Sequence, residues 1–387
     1  MKLASRISNL QHEGAYRVMS LAQALEREGK DIVHLEIGQP DFRTFPEISE
    51  AGKKAIDEGY TRYNPSEGYG DLRAAIAEFS KKRGIQSDPA QIVVGPGAKP
   101  VLLFPLMALL EEGDEALYPD PGFPSYRADI EIAGGAPVPV PLIEANSFSF
   151  DLEALEERIT EKTKILILNS PANPTGGVIS RSDLEAIAQL AQKHDFYVIS
   201  DEIYSRLVYD DSTAKSIYTI DGMPERTIIV DGFSKSYAMT GWRLGYAIMP
   251  EALAAKVSLL LTHAVGCTAG FTQRAGIVAL KECDDDVDKV VQQYQKRRDA
   301  FVAGLNGIEG IRCRLPEGAF YTFPNISDLG VPSKTLADRL LNEAGVACLS
   351  GTDFGPNGEG YLRFTYAASQ AELDEAVRRV GEFVAKL

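Results

Sequence analysis

The stretch Thr227-Ile-Ile-Val-Asp-Gly-Phe-Ser-Lys235 decides the fold. Its first residues are β-branched and apolar without polar alternation, which reads as a strand covered on both faces, and the chain then turns polar within a few residues. The same succession recurs on either side. Phe196–Asp201 is followed by Glu-Ile-Tyr204, Lys164–Asn169 by Ser-Pro-Ala-Asn173-Pro-Thr-Gly, and Ile92–Gly95 by Pro-Gly-Ala-Lys99. Strand-like runs at Glu115–Tyr118 and Leu244–Met249 extend the series, and helical patterns such as Ser182–His194 separate several of its members. Strand alternating with helix predicts an α/β fold with a mostly parallel central sheet and helices on both faces.

The ends read differently. An amphipathic stretch opens the chain. After Asp284 come a helix over Val287–Leu305, a strand-like Gly318–Phe323 and a closing helix from Gln370. This predicts a large α/β domain over residues 42–284 and a smaller α+β domain built from residues 1–41 and 285–387. A length of 387 residues suits two such domains.

With 44% hydrophobic and 25% charged residues the composition is that of a soluble globular protein. A formal charge of −15 argues against nucleic acid and anionic membrane surfaces as partners, since both repel that field. Cys267, Cys283, Cys313 and Cys348 lie scattered without a Cys-x-x-Cys pair, so neither a metal site nor a disulfide framework is expected. Met1-Lys-Leu-Ala-Ser-Arg6 lacks an apolar signal core, and the most apolar run, Pro100–Leu110, is interrupted by proline and too short to cross a bilayer. A cytoplasmic location follows as the expectation.

Open parallel sheets bind ligands beyond the carboxyl ends of their strands. There the loops offer a glycine turn at Gly95–Lys99, an amide at Asn173, a carboxylate at Asp201, a phenol at Tyr204, a hydroxyl at Ser234 and an amine at Lys235. A helix starting near Pro100 would aim free N–H groups at a phosphate. The turn also resembles a dinucleotide fingerprint, but Pro100 occupies the third glycine's place, against a nicotinamide oxidoreductase. Lys235 in a desolvated, cation-rich cleft would be an accessible neutral nucleophile. Asp201, ending an apolar strand, needs a cation or donors, or else caps a helix from Glu202.

Gly232-Phe-Ser-Lys235-Ser-Tyr-Ala-Met-Thr-Gly-Trp-Arg243-Leu-Gly resembles the coenzyme-lysine signature of the class I/II aminotransferases, aspartate aminotransferase-like members of the fold-type I pyridoxal-phosphate enzymes. Gly38-Gln-Pro-Asp-Phe, Asn173-Pro-Thr-Gly, Asp201-Glu-Ile-Tyr204, Gly318-Ala-Phe-Tyr and Tyr361-Leu-Arg363-Phe follow that family's order, and the resemblance runs from about Arg6 to the last helix.

The resemblance implies pyridoxal 5'-phosphate as cofactor and a homodimer as the working unit. It implies that Lys235 forms the Schiff base and moves the substrate proton, and that Asp201 pairs with the pyridinium nitrogen. Asn173 and Tyr204 would bond the phenolic oxygen. Ser234, Arg243 and the N–H groups of Ala98 and Lys99 would hold the phosphate, with Phe123 stacked on the ring. Arg363 would grip the substrate α-carboxylate next to Gly38, and Tyr63 would reach the phosphate of the neighbouring subunit. Tyr16 and Arg17 lie where relatives close a segment over the substrate. The activity so implied is ping-pong transfer of an amino group from an L-amino acid to a 2-oxo acid. A carbon–sulfur β-lyase is the alternative on the same scaffold, and a non-catalytic ligand sensor stands further off. Cys267-Thr-Ala-Gly-Phe-Thr272 departs from the Asn-Pro-Thr-Ser-type segment of aspartate-using relatives.

Overall fold

A computed structural model describes residues 10, 13–210 and 212–387. The reading of Met1–Arg6, and the resemblance at Arg6, lie outside the described residues. In chain order the strands are β1 (Val33–His34), β2 (Ile92–Gly95), β3 (Glu115–Asp120), β4 (Ala136–Ile143), β5 (Ser149–Phe150), β6 (Thr163–Asn169), β7 (Tyr197–Asp201), β8 (Thr227–Gly232), β9 (Gly245–Ile248), β10 (Tyr321–Thr322), β11 (Val346–Ala347), β12 (Leu349–Ser350) and β13 (Leu362–Thr365).

The central sheet has eight strands in the order β2-β9-β8-β7-β6-β3-β4-β5. Strands β4, β3, β6, β7 and β8 run parallel, while β9 is antiparallel to both β8 and β2. Successive side chains of a strand leave opposite faces, and β6 shows it. Ile165 and Ile167 join one core with Val101, Leu106 and Ile199, whereas Leu166 and Leu168 join another with Ile187, Ala191 and Phe196. Apolar runs without alternation are what a sheet covered on both faces requires.

Strand β4 is absent from the sequence expectation. Its Ala-Pro-Val-Pro-Val-Pro pattern discourages a strand reading, because proline supplies no ladder donor. Pro137, Pro139 and Pro141 are spaced by two, so all three face the same side, and β4 pairs only with β3 over this length. The prolines therefore fall on the open flank, where no donor is needed.

The smaller elements come from both chain ends. Strand β1 pairs parallel with β11, and β13 lies between β10 and β12 in an antiparallel sheet. The strand-like Gly318–Phe323 narrows to Tyr321–Thr322. Helices Gly14–Arg27, Asp284–Asn306 and Gln370–Val384 flank these sheets, the last opened by a reciprocal capping box between Ser369 and Glu372.

Two local features position the site. Strands β6, β7 and β8 end together, with Asn169 opposite Asp201 and Asp201 opposite Val230. On the other flank Gly95, Gly245 and Gly232 lie abreast across β2, β9 and β8. A Cβ on Gly245 would meet the Gly97 carbonyl carbon and the Ala98 nitrogen at 2.5 Å, so a glycine there lets the following turn press onto the sheet. The helix after that turn spans Ala98–Leu109, beginning two residues before Pro100, which sits in its first turn where a missing N–H costs no bond.

Candidate active site

The carboxyl ends of these strands open into a cavity of about 610 Å³. Lys235, Asp201, Tyr204, Asn173, Ser234, Arg243, Ala98, Lys99, Phe123 and Gly38 all line it. Of the residues singled out in the sequence, Arg363 lies just behind the wall and Tyr63 lies elsewhere.

Lys235 follows β8 by three residues, and its Nζ donates to the Gly38 carbonyl at 2.7 Å. Burial, followed by the nearby Arg363 charge, lowers its pKa to about 8, with Asp201 pulling the other way. A far larger fraction of this amine than of an ordinary lysine is therefore neutral near physiological pH. Asp201 ends β7 and is 7% exposed. No helix starts at Glu202, so the helix-capping alternative is set aside. Its Oδ1 accepts from the Ile203 amide at 3.2 Å in a turn, and its Oδ2 accepts from the Tyr126 hydroxyl at 2.7 Å. Burial dominates and pushes the carboxyl up to about 6, against those two bonds.

Asn173 is fixed from its backbone, whose N–H donates to Asn169 Oδ1 at 2.8 Å, while Asn169 Nδ2 donates to the Asp201 carbonyl at 3.0 Å. The Tyr204 hydroxyl bonds the Tyr321 hydroxyl at 2.7 Å. Arg363, on β13, is 3% exposed, far from the setting of a surface arginine. One terminal nitrogen donates to the Glu36 carbonyl and the other to Asn173 Oδ1 at 3.4 Å. Its guanidinium lies over the Tyr321 ring at 4.6 Å and the Phe354 ring at 5.1 Å. Its Nε is buried and has no partner.

Gly38 spares space for Tyr321, since a Cβ there would strike the phenol oxygen. Gly97, with φ +91°, spares it for the guanidinium of Arg243. Arg243 itself takes a left-handed backbone, φ 56°, and its Nη1 donates to the Thr240 carbonyl at 2.9 Å. The Lys99 ammonium pairs with Glu13 and lies 5.3 Å from the centre of the Phe123 ring. Tyr16 lines the cavity, whereas Arg17 turns to Asp353 at 3.6 Å. Tyr63 is 94% exposed beside Arg62, Asn64 and Phe271, so within one chain it takes no part.

Sequence reasoning assigned no role to Tyr126, Tyr321, Asn169 or Glu13. Tyr321 stands inside the quoted Gly318-Ala-Phe-Tyr motif and Tyr126 three residues after Phe123, and a phenol beside a buried carboxylate or phenol is the signal that could have marked them.

The residues fit a phosphorylated pyridine aldehyde. An amine whose pKa is lowered to about 8 shares a cavity with a buried carboxylate, next to a helix N-terminus kept open by Gly97, and a buried guanidinium nitrogen lacks an acceptor. Residues 30–380 match the family "Aminotransferase class I and II". This chain belongs to that family. The aspartate aminotransferase of Pyrococcus abyssi is 44% identical over 355 residues, covering 91% of each chain. The aromatic-amino-acid aminotransferase 2 of Thermococcus litoralis is 40% identical, covering 98% of this chain and 97% of its own. The solved aspartate aminotransferase of Thermus thermophilus with maleate superimposes with a TM-score of 0.95 at 36% identity, covering both chains fully. The aminotransferase described here is thus a fold-type I, pyridoxal-phosphate-dependent enzyme that moves amino groups. No described helix is long and apolar enough to cross a membrane.

Proposed function

We propose that the enzyme transfers the amino group of an L-amino acid to a 2-oxo acid in two half-reactions, with Lys235 and Asp201 as the groups that act on the coenzyme. The observation that carries this reading is the single cavity holding a depressed lysine and a buried carboxylate. When bound, pyridoxal phosphate supplies a ring that accepts negative charge from the substrate α-carbon. Lys235 would hold its aldehyde carbon, Asp201 its ring nitrogen, and Asn173 and Tyr204 its phenolic oxygen. Ser234, Arg243 and the amides of Ala98 and Lys99 would hold its phosphate, with Phe123 against the ring face.

The unpartnered Nε of Arg363, beside a terminal nitrogen already on Asn173, supports a grip on the substrate α-carboxylate. Fixing that carboxylate orients the Cα–H bond, and Lys235 Nζ is the base that takes its proton. The missing side chain at Gly38 lets Tyr321 lie against this segment, whose carbonyls at Glu36 and Gly38 meet Arg363 and Lys235.

The reading includes a homodimer in which Tyr63 reaches the phosphate of the second subunit; its 94% exposure supports a partner surface. It also includes a division into residues 42–284 and 1–41 with 285–387, which the β1–β11 pairing supports. Four free cysteines support a reducing, cytoplasmic setting.

Borohydride reduction of the coenzyme-saturated protein, followed by peptide mapping, tests the assignment. The tag is expected on Lys235, and Lys235→Ala should lose at least about 10⁴-fold in turnover while keeping its fold. A tag elsewhere, or normal turnover in that variant, would overturn it.

A further inference from the structure

Among the residues lining the cavity that the coenzyme reading leaves without a role are Ala15, Tyr16, Met19, Ile37 and Leu102, and the charged residues Glu13 and Lys99 line it as well. Glu13 Oε1 accepts from the Lys99 ammonium and from the Ser125 hydroxyl, the latter at 3.1 Å. Lys99 also rests over the Phe123 ring. Its charge is therefore engaged on two sides before any substrate arrives.

A second carboxyl stands close by. Asp129 is buried, its Oδ2 has no hydrogen-bond partner, and Lys99 is the cation that acts on it. Burial pushes Asp129 up to about 7, and Glu13 adds to the rise. The surroundings of Lys99 thus hold two carboxyls against one ammonium. An incoming side-chain carboxylate would face Glu13 together with Lys99 and lose much of the ammonium's attraction, whereas an apolar side chain would gain from burial against the wall.

We propose that the Glu13–Lys99 pair sets the side-chain selectivity of the amino donor. With the pair in place the cavity selects bulky uncharged side chains, and a dicarboxylic donor enters only by displacing Glu13 from Lys99. The proposal rests on the aminotransferase reading above, with the donor's α-carboxylate on Arg363.

Calorimetric titration of the coenzyme-loaded protein with maleate and with 3-phenylpropanoate tests it, in the wild type and in Glu13→Gln. Glu13→Gln should tighten maleate roughly three- to tenfold and leave 3-phenylpropanoate within about twofold, the range expected for a partly exposed ion pair. The ratio of kcat/KM for aspartate over phenylalanine should rise by a similar factor, through KM. Glu13→Ala should act in the same direction, which guards against a misfolded single variant. Unchanged maleate affinity, or an equal change for both ligands, would overturn the proposal. A borohydride tag away from Lys235 would overturn the site assignment instead, a result the two-ligand comparison does not use.

Discussion

The Tyr126 hydroxyl donates to Asp201 Oδ2 at 2.7 Å, inside the cavity and shielded from solvent. That bond stabilises the ionised carboxylate against the burial that drives its pKa up to about 6. An unfolded Asp titrates near ~3.9, so ionising Asp201 in the folded protein opposes folding. The penalty is absent below about pH 4, grows between about pH 4 and 6, and is constant above. Asp201→Asn should therefore make the coenzyme-free protein more stable by ~1–3 kcal/mol at about pH 8 and unchanged at about pH 4. Denaturant melts at the two pH values check this; equal effects at both would remove the argument. Tyr126→Phe should weaken coenzyme binding roughly tenfold, and more at about pH 6 than at about pH 8.

Arg363 is held by the Glu36 carbonyl, by Asn173 and by two aromatic faces. A lysine there would keep the charge and lose the planar fork and the stacking. Arg363→Lys should lower kcat/KM for α-amino acids by roughly 10²-fold, mostly through KM, while half-reactions of amines without a carboxylate change little. Steady-state kinetics on matched donors with and without the carboxylate decide the matter, and a uniform loss would assign the carboxylate to another group.

Gly97 combines φ +91° with a Cβ position that the Arg243 guanidinium fills. Gly97→Ala should cost ~1–3 kcal/mol of stability from backbone strain and weaken coenzyme binding about tenfold by moving Arg243. Thermal melts with and without coenzyme separate the two effects. Stability lost without any loss of affinity would show that Arg243 does not serve the phosphate.

What the sequence discloses is local. The run Lys164–Asn169 differs from β6 by one residue, and the closing helix begins at Gln370 as expected, because hydrophobic period and capping are written in neighbouring residues. Strand β4 escaped because its prolines hide a pattern that only an unpaired flank makes tolerable. The residues lining the cavity were legible as loop groups after strands. Their mutual bonds were not, since Tyr126 meets Asp201 across 75 positions, Lys99 meets Glu13 across 86, and Tyr204 meets Tyr321 across 117. Such pairings depend on how the sheet and the chain ends fold over one another, and no periodicity records them. Tyr63, exposed in one chain, would acquire a role only in a dimer.

Glu36 and Gly38 stand two apart, and their carbonyls receive the guanidinium of Arg363 and the ammonium of Lys235 respectively. One short rail of backbone thus touches the proposed clamp for the incoming acid and the arm that would carry the vitamin. A change that tilts Ile37 from its place would shift both carbonyls, and with them both cations. Substrate choice would consequently diversify at lining positions outside that rail, such as Glu13, Tyr16 and Met19.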